Sequence, residues 1–406
     1  MLTIRYPQVI PIIKELSAGL LPISFPDETR PNLIIKSTKE RLLAARVNGG
    51  FKVNVFPIVL ADQPTVGLIA AFFDSENEPL VIYTPLFKED NTDRLIGTLL
   101  QDSIDIHFFD EHDRELLGYI CKLEIPNIAK ERFANASLIS FNLTLARLAH
   151  DQLQILFGTR SHDDDLNAIS VSFTESLIPE DLMIVDARLE SNHFSGSAPF
   201  SFSQLEREEP GPFQEQDIAR LLGRLFAPTH IYLNPLRITD NEEVADLLLT
   251  TDSEIIILQA KDSPNTEAVL RNTIERKKLT ARKALTKAMN QTKGAIRYLR
   301  SMSPLKIRVN GELVEIDITN HRLRALIVVK ELFNDEYSIY SPPILDLSRQ
   351  TGVPCIALDY GELDMYTRMT SKAKFFEAFD FVYSHGSQTG KFPRLRIWRA
   401  DDEEHL

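Results

Sequence analysis

Two short apolar runs, residues 244–250 and 255–260, flank the polar tetrad Thr251-Asp252-Ser253-Glu254. Runs of this length around an Asp-Ser turn predict two strands of a β-hairpin. With Asp252 and Ser253 at the centre of a tight turn, Thr251 faces Glu254. Every pair further out keeps the same register, so Asp246 falls opposite Gln259. Directly opposed residues have Cβ atoms about 5 Å apart on one face. Lys261 lies two residues beyond Gln259 and takes that face too. The hairpin therefore ends in a carboxylate, an amide and an ammonium side by side, an arrangement that stability alone does not ask for. The plain alternative for each is a capped or solvated strand end.

The remainder of the chain bounds what can surround this hairpin. At 406 residues it is long enough for two domains with sizeable cores. Cys121 and Cys355 lie far apart and form neither a CxxC nor a zinc-type spacing, which suits a reducing cytoplasm. The N-terminus lacks a basic segment followed by an apolar core, so no signal peptide is expected. The longest apolar stretch, near residues 66–73, is too short to span a bilayer, and a cytoplasmic protein without membrane contact is expected.

The net charge of -13 argues against a polyanion partner only if it is spread evenly, and it is not. Residues 261–308 hold 13 Lys/Arg against 3 Asp/Glu, whereas residues 1–200 hold 17 against 28. A basic segment in an acidic chain is a local field that steers polyanions, although a solvated helix face is the simpler reading.

Alternating or apolar runs between residues 32 and 126 predict strands at 33–36, 51–60, 65–73, 80–83, 104–109 and 116–123. Helices are predicted over residues 9–21, 93–100 and 128–156, the last with a possible break at Asn142. The acidic run Ser161-His162-Asp163-Asp164-Asp165 reads as a solvated loop. Residues 191–212, rich in Ser, Gly, Pro and Glu, read as a linker. The division expected is a β-rich domain over 1–195, for regulation or oligomerisation, and a second domain over 210–406. That second domain is predicted to hold a helix over 213–226, the hairpin, and a basic helix over 267–299. Further elements are strands at 313–318, 323–329, 354–358 and 395–398, a loop at Pro342-Pro343 and a helix over 365–379. The whole is an α/β (α+β) pattern with helices flanking a mixed sheet.

Familiar chemistries are missing elsewhere. The Gly386–Lys391 stretch is one residue short of a phosphate loop, and Phe392 stands where Ser or Thr is required. No GxSxG, HExxH or Rossmann glycine pattern is present.

At Asp246 and Gln259-Ala260-Lys261, with a helix before and a basic helix after, the sequence resembles the PD-(D/E)xK, or restriction-endonuclease-like, nuclease superfamily. The resemblance spans roughly residues 213–329. Gln259 in place of the usual acidic residue is similar to the Mrr-like QxK branch, and Ala245 stands where the family has Pro. The resemblance implies a mixed β-sheet flanked by helices and a metal-dependent DNA endonuclease hydrolysing phosphodiesters. It further suggests prokaryotic restriction or anti-phage defence, and a dimer or higher homo-oligomer. A catalytically inactive nucleic-acid-binding or assembly module, or an RNA nuclease, are the alternatives.

The residues themselves suit that chemistry. Mg²⁺, with Mn²⁺ as its substitute, favours hard oxygen ligands. Asp246, the Gln259 amide oxygen and the Ala260 carbonyl supply them. Glu215 is the expected second carboxylate, with Glu243 and Asp217 behind it. Lys261 would orient the attacking water or stabilise the charged transition state. Arg271, Lys277, Lys278, Arg282, Lys283 and Lys287 are the candidate phosphate contacts on the basic helix.

Overall fold

The computed structural model describes residues 1–75 and 79–394, and the strand expected at 395–398 lies outside them. The fold is mixed α/β with several sheets and divides into two compact units. Among the described residues, unit 1 comprises Met1–Met183 with Gln204–Glu206 and Asn265–Arg271, and unit 2 comprises Ile184–Ser203, Arg207–Pro264 and residues 272–394.

Unit 1 is built on an eight-stranded sheet. Its strands are β1 (Gly19–Ile23), β2 (Asn32–Lys36), β3 (Gly50–Leu60), β4 (Gln63–Phe72), β5 (Leu80–Pro85), β6 (Ser103–Phe109), β7 (Glu115–Glu124) and β8 (Ile169–Ser176). The order is β1-β2-β6-β7-β8-β3-β4-β5, and only β2 and β6 run parallel. The β3–β4 hairpin turns through Ala61 and Asp62, both at positive φ as a tight hairpin turn requires. The helix Leu143–Gly158 lays Ala146, Ala149, Leu153 and Phe157 against this hairpin. Asn142 caps it by accepting from Thr144 and Leu145 N–H, and so separates it from Asn127–Ala134. The acidic run after Ser161 begins a short helix through a reciprocal capping box between Ser161 and Asp164. The helix expected over 9–21 stops at Glu15, because residues 19–23 pair with β2 instead.

Unit 2 carries the hairpin. Within residues 191–212, read above as linker, β10 (Ser201–Ser203) forms and pairs with β9 (Ile184–Asp186). Then come α1 (Gly211–Leu222), β11 (Ile231–Leu233), β12 (Leu236–Arg237), β13 (Leu247–Thr250) and β14 (Glu254–Lys261). The basic helix α2 spans Ile274–Arg300 and is followed by β15 (Leu305–Val309), β16 (Glu312–Ile316) and β17 (Arg322–Val329). The last elements are α3 (Tyr337–Thr351), β18 (Cys355–Asp359), α4 (Tyr360–Met369) and α5 (Lys372–Thr389).

The main sheet of unit 2 has the order β11-β13-β14-β17-β18. Its β11, β13 and β14 are antiparallel neighbours, while β14, β17 and β18 run parallel. Helix α2 crosses over from β14 to β17 and packs on both. The run Ile255–Leu258 is buried, as a central strand covered on both faces requires.

Three expectations fail here for identifiable reasons. The basic helix begins at Ile274, where Thr273 caps it by accepting from Arg276 N–H, and Glu267–Leu270 is a separate short helix. Pro342 and Pro343 lie inside α3 rather than in a loop. Burial of Tyr337, Tyr340, Ile344 and Leu345 outweighs the lost backbone bonds. The helix expected over 365–379 is two helices, divided at Ser371, the N-cap of α5. The Gly386–Lys391 stretch ends α5, with Gly390 in the left-handed region.

Candidate functional site

The site grows from the hairpin register. Leu247 pairs with Leu258 and Thr250 with Ile255, and Thr251 N–H donates to Glu254 O at 2.8 Å, so Asp246 stands opposite Gln259. Both are buried, at 3% and 2% exposure. Asp246 Oδ2 accepts from Ala260 N–H at 2.5 Å and from the Lys261 ammonium at 2.9 Å. The same ammonium donates to the Ala260 carbonyl at 2.6 Å. A carboxylate, a carbonyl oxygen and a cation are thus locked together where the hairpin emerges from the core.

Gln259 completes the cluster in a different way. Among the described residues, its Oε1 is buried without a hydrogen-bond partner. Leaving an amide oxygen in that condition costs about 1–3 kcal/mol. Next to a carboxylate it is an acceptor still in need of a donor or a cation.

Two further carboxylates converge on Asp246. Glu215 comes from α1, where it is half-buried, and its Oε2 accepts from Asn234 Nδ2 at 3.0 Å. Burial pushes the Glu215 carboxyl up to about 7; the Asp246 charge adds to the rise, while Asn234 and Lys261 oppose it. Glu243 stands three residues before Asp246. The residue as a whole lies at the surface, yet its carboxyl is covered enough for burial to raise its pKa, with the charge of Asp246 and a hydrogen bond to it acting in the same direction. Like charges held together disfavour ionisation of one another.

Asn234 is a positioning residue that the sequence reading passed over. It sits at positive φ, its N–H donates to the Asp246 carbonyl at 3.0 Å, and its side chain holds Glu215. The Asn234-Pro235 turn dipeptide was the available signal. Glu243, placed behind Glu215 in the sequence reading, stands directly against Asp246. Asp217 is directed elsewhere: Arg207 and Arg220 pair with it at 3.1 and 3.0 Å.

The donor set fits a hard divalent cation. Asp246, Glu215 and Glu243 supply carboxyl oxygens, Gln259 an amide oxygen and Ala260 a carbonyl, the oxygen-rich set such ions take.

The candidate phosphate contacts separate into two groups. Lys278 pairs with Asp335 and Arg282 with Glu336, each at 2.5 Å. Arg271 lies outside α2, in unit 1, and pairs with Glu267 at 2.8 Å. Lys277 is half-buried. Lys283 and Lys287 are exposed, and the helical repeat places Arg276 and Arg297, also exposed, on the same side. That side is opposite the buried Ala281, Leu285, Ala288 and Leu299. Tyr298, by contrast, is fixed structurally, donating to Lys306 O at 2.7 Å.

Among the described residues no helix is long and apolar enough to cross a membrane. No protein-family model matches the chain, and no curated protein matches it either.

Proposed function

We propose that the chain is a metal-dependent nuclease whose substrate is DNA, with unit 2 as its catalytic part. The observation that carries this reading is the meeting of Asp246, Glu215 and Glu243 with Lys261 and the unpartnered Gln259 oxygen. Three acids around one lysine are an unfavourable way to end a hairpin unless a cation and a phosphate are to be handled there.

Asp246, Gln259, the Ala260 carbonyl and Glu215 would hold Mg²⁺ or Mn²⁺, with Glu243 at hand as a further charged ligand. Bound there, the ion supplies Lewis-acid neutralisation of charge on a phosphoryl oxygen. Lys261 is the cationic side chain that meets Asp246 at the hairpin end, and it serves to orient the nucleophilic water or to balance charge as the phosphorus–oxygen bond breaks. Arg276, Lys283, Lys287 and Arg297 form an outward basic stripe on α2 suited to a sugar–phosphate backbone. The resemblance to restriction-endonuclease-like proteins gives the same reading and suggests a role in restriction or anti-phage defence. Cutting both strands of a duplex would favour a homo-oligomer of the chain.

The test is incubation of supercoiled plasmid, linear duplex and a structured RNA with the full chain and Mg²⁺ or Mn²⁺. Nicking or linearisation of DNA that is lost with EDTA and in Asp246→Ala and Lys261→Ala variants is the expected result. Equal cutting by wild type and both variants would remove this site from the chemistry. Binding without cutting in either metal would favour an inactive nucleic-acid-binding module, and cutting of RNA alone would reassign the substrate.

A further inference from the structure

The Lys261 ammonium does not merely stand near the oxygens assigned to a metal; it holds two of them. Asp246 Oδ2 and the Ala260 carbonyl receive it at 2.9 and 2.6 Å, and its side chain is only 16% exposed. Mg²⁺ binds oxygen at about 2.0–2.1 Å and demands near-octahedral placement. An ammonium lying between the same two oxygens occupies that ground, and two cations this close repel strongly in a partly buried setting.

We infer that Lys261 is a built-in counter-ion that a divalent cation must displace, so that ion binding drives the ammonium off Asp246 and out towards the substrate. This rests on the metal-site reading above and adds a sequence of events to it. The buried Asp246 carboxylate is kept paired before the ion arrives, which avoids the cost of an uncompensated interior charge. When the ion replaces the ammonium, the pairing is exchanged rather than lost. Lys261 is then released for the phosphate only in the loaded state. The lysine thereby links the presence of the ion to its own availability. The unpartnered Gln259 oxygen marks where the incoming ion gains a ligand the ammonium does not use.

The experiment is calorimetric titration of the full chain with Mn²⁺ at one fixed pH, for wild type, Lys261→Met, Lys261→Gln and Lys261→Arg. The neutral variants are expected to bind Mn²⁺ about tenfold tighter than wild type, about 1.4 kcal/mol, and the arginine variant no tighter. Should a neutral variant be poorly folded without metal, its melting temperature titrated against Mn²⁺ reads the same affinity. The second readout is acylation of Lys261 by acetic anhydride in wild type, followed by peptide mass spectrometry. Mg²⁺ should raise labelling at Lys261 severalfold relative to surface lysines such as Lys283. Equal Mn²⁺ affinity across the series, or labelling that Mg²⁺ leaves unchanged, overturns displacement while leaving the metal site standing. Failure of every protein, wild type included, to bind Mn²⁺ would bring down the metal-site reading itself.

Discussion

The strand β14 has buried charge at both ends, and the two ends are built on opposite principles. At its start, Arg324 of β17 is 1% exposed and donates to both oxygens of Glu254 at 2.9 and 3.1 Å. It also pairs with Asp380, which Arg322 joins at 3.3 Å, and lies over the Phe376 and Phe379 rings at 5.3 and 5.1 Å. Two guanidinium groups meet two carboxylates, and the fork of Arg324 is fully used. At the other end one lysine faces three carboxylates and an amide oxygen without a partner. The first end is closed and balanced, as a structural ion network must be to offset its desolvation. The second end gathers more carboxyl groups than its lysine can pair, which suits it to receive a further cation. Burial of charge alone does not distinguish structure from chemistry; the balance of partners does.

The comparison can be broken most severely by exchanging what each end loses. Asp246→Asn should lower DNA cleavage by at least about a hundred- to a thousandfold. It should cost little stability, because relief of repulsion with Glu215 and Glu243 offsets the weakened pairing with Lys261. A large loss of stability in that variant would show the acidic end to be structural. Arg324→Met should do the reverse, costing about 3–5 kcal/mol in urea unfolding by stranding Glu254 and Asp380. Its surviving folded fraction should cut at a normal rate; a stable variant that cannot cut would contradict the division of roles.

The crowded carboxyl groups also set a pH dependence. The folded-state pKa values of Glu215, about 7, and of Glu243 are raised above the ordinary glutamate range. The neutral forms are thus favoured by folding. Their contribution is fully present below about pH 4.3 and is lost as pH rises through the folded values. In EDTA the melting temperature should fall between pH 5.5 and 8.5 by a few degrees, in the sense and order of size expected for a modest stability change in a domain this large. Mg²⁺ should restore more of it at the upper end, since deprotonated ligands bind the ion better. A Glu215→Gln/Glu243→Gln double variant that retains the full pH slope would place its origin elsewhere.

The smallest effect concerns the basic helix. Neutralising Lys283 and Lys287 together should reduce the slope of log binding constant against log salt by about 1.8 for duplex DNA. Neutralising Lys278, already paired with Asp335, should change it less. Equal changes would mean that both sides of α2 meet the substrate.

Much of the candidate site was legible in the chain because it depends on local rules. A two-residue turn and a period of two were enough to oppose Asp246 to Gln259 and to put Lys261 beside them. The strands of unit 1 between residues 32 and 124 were visible for the same reason, and the break read at Asn142 is where the structure starts a new helix. The failures have one cause: where distant segments decide, local propensity loses. Pro342 and Pro343 are tolerated inside α3 because its buried face repays the lost backbone bonds. Residues 201–203 fall in a stretch that looks like linker yet pair as β10 with β9.

The division between sequence and tertiary structure is sharpest at the hairpin itself. The order of residues alone determined that a carboxylate, an amide and a lysine share one strand face, since side-chain direction in a hairpin follows from counting. Only the folded chain decided which acids join them. Glu215 arrives on a helix 31 positions away, Glu243 bends back from the strand entrance, and Asn234 fixes one of them from a left-handed turn. Likewise the helical repeat shows which cations of α2 share a side, but only packing against α3 and its preceding turn commits Lys278 and Arg282 to Asp335 and Glu336. Electrostatic pairing is a property of distances in space, and those distances are set by the core that brings the segments together.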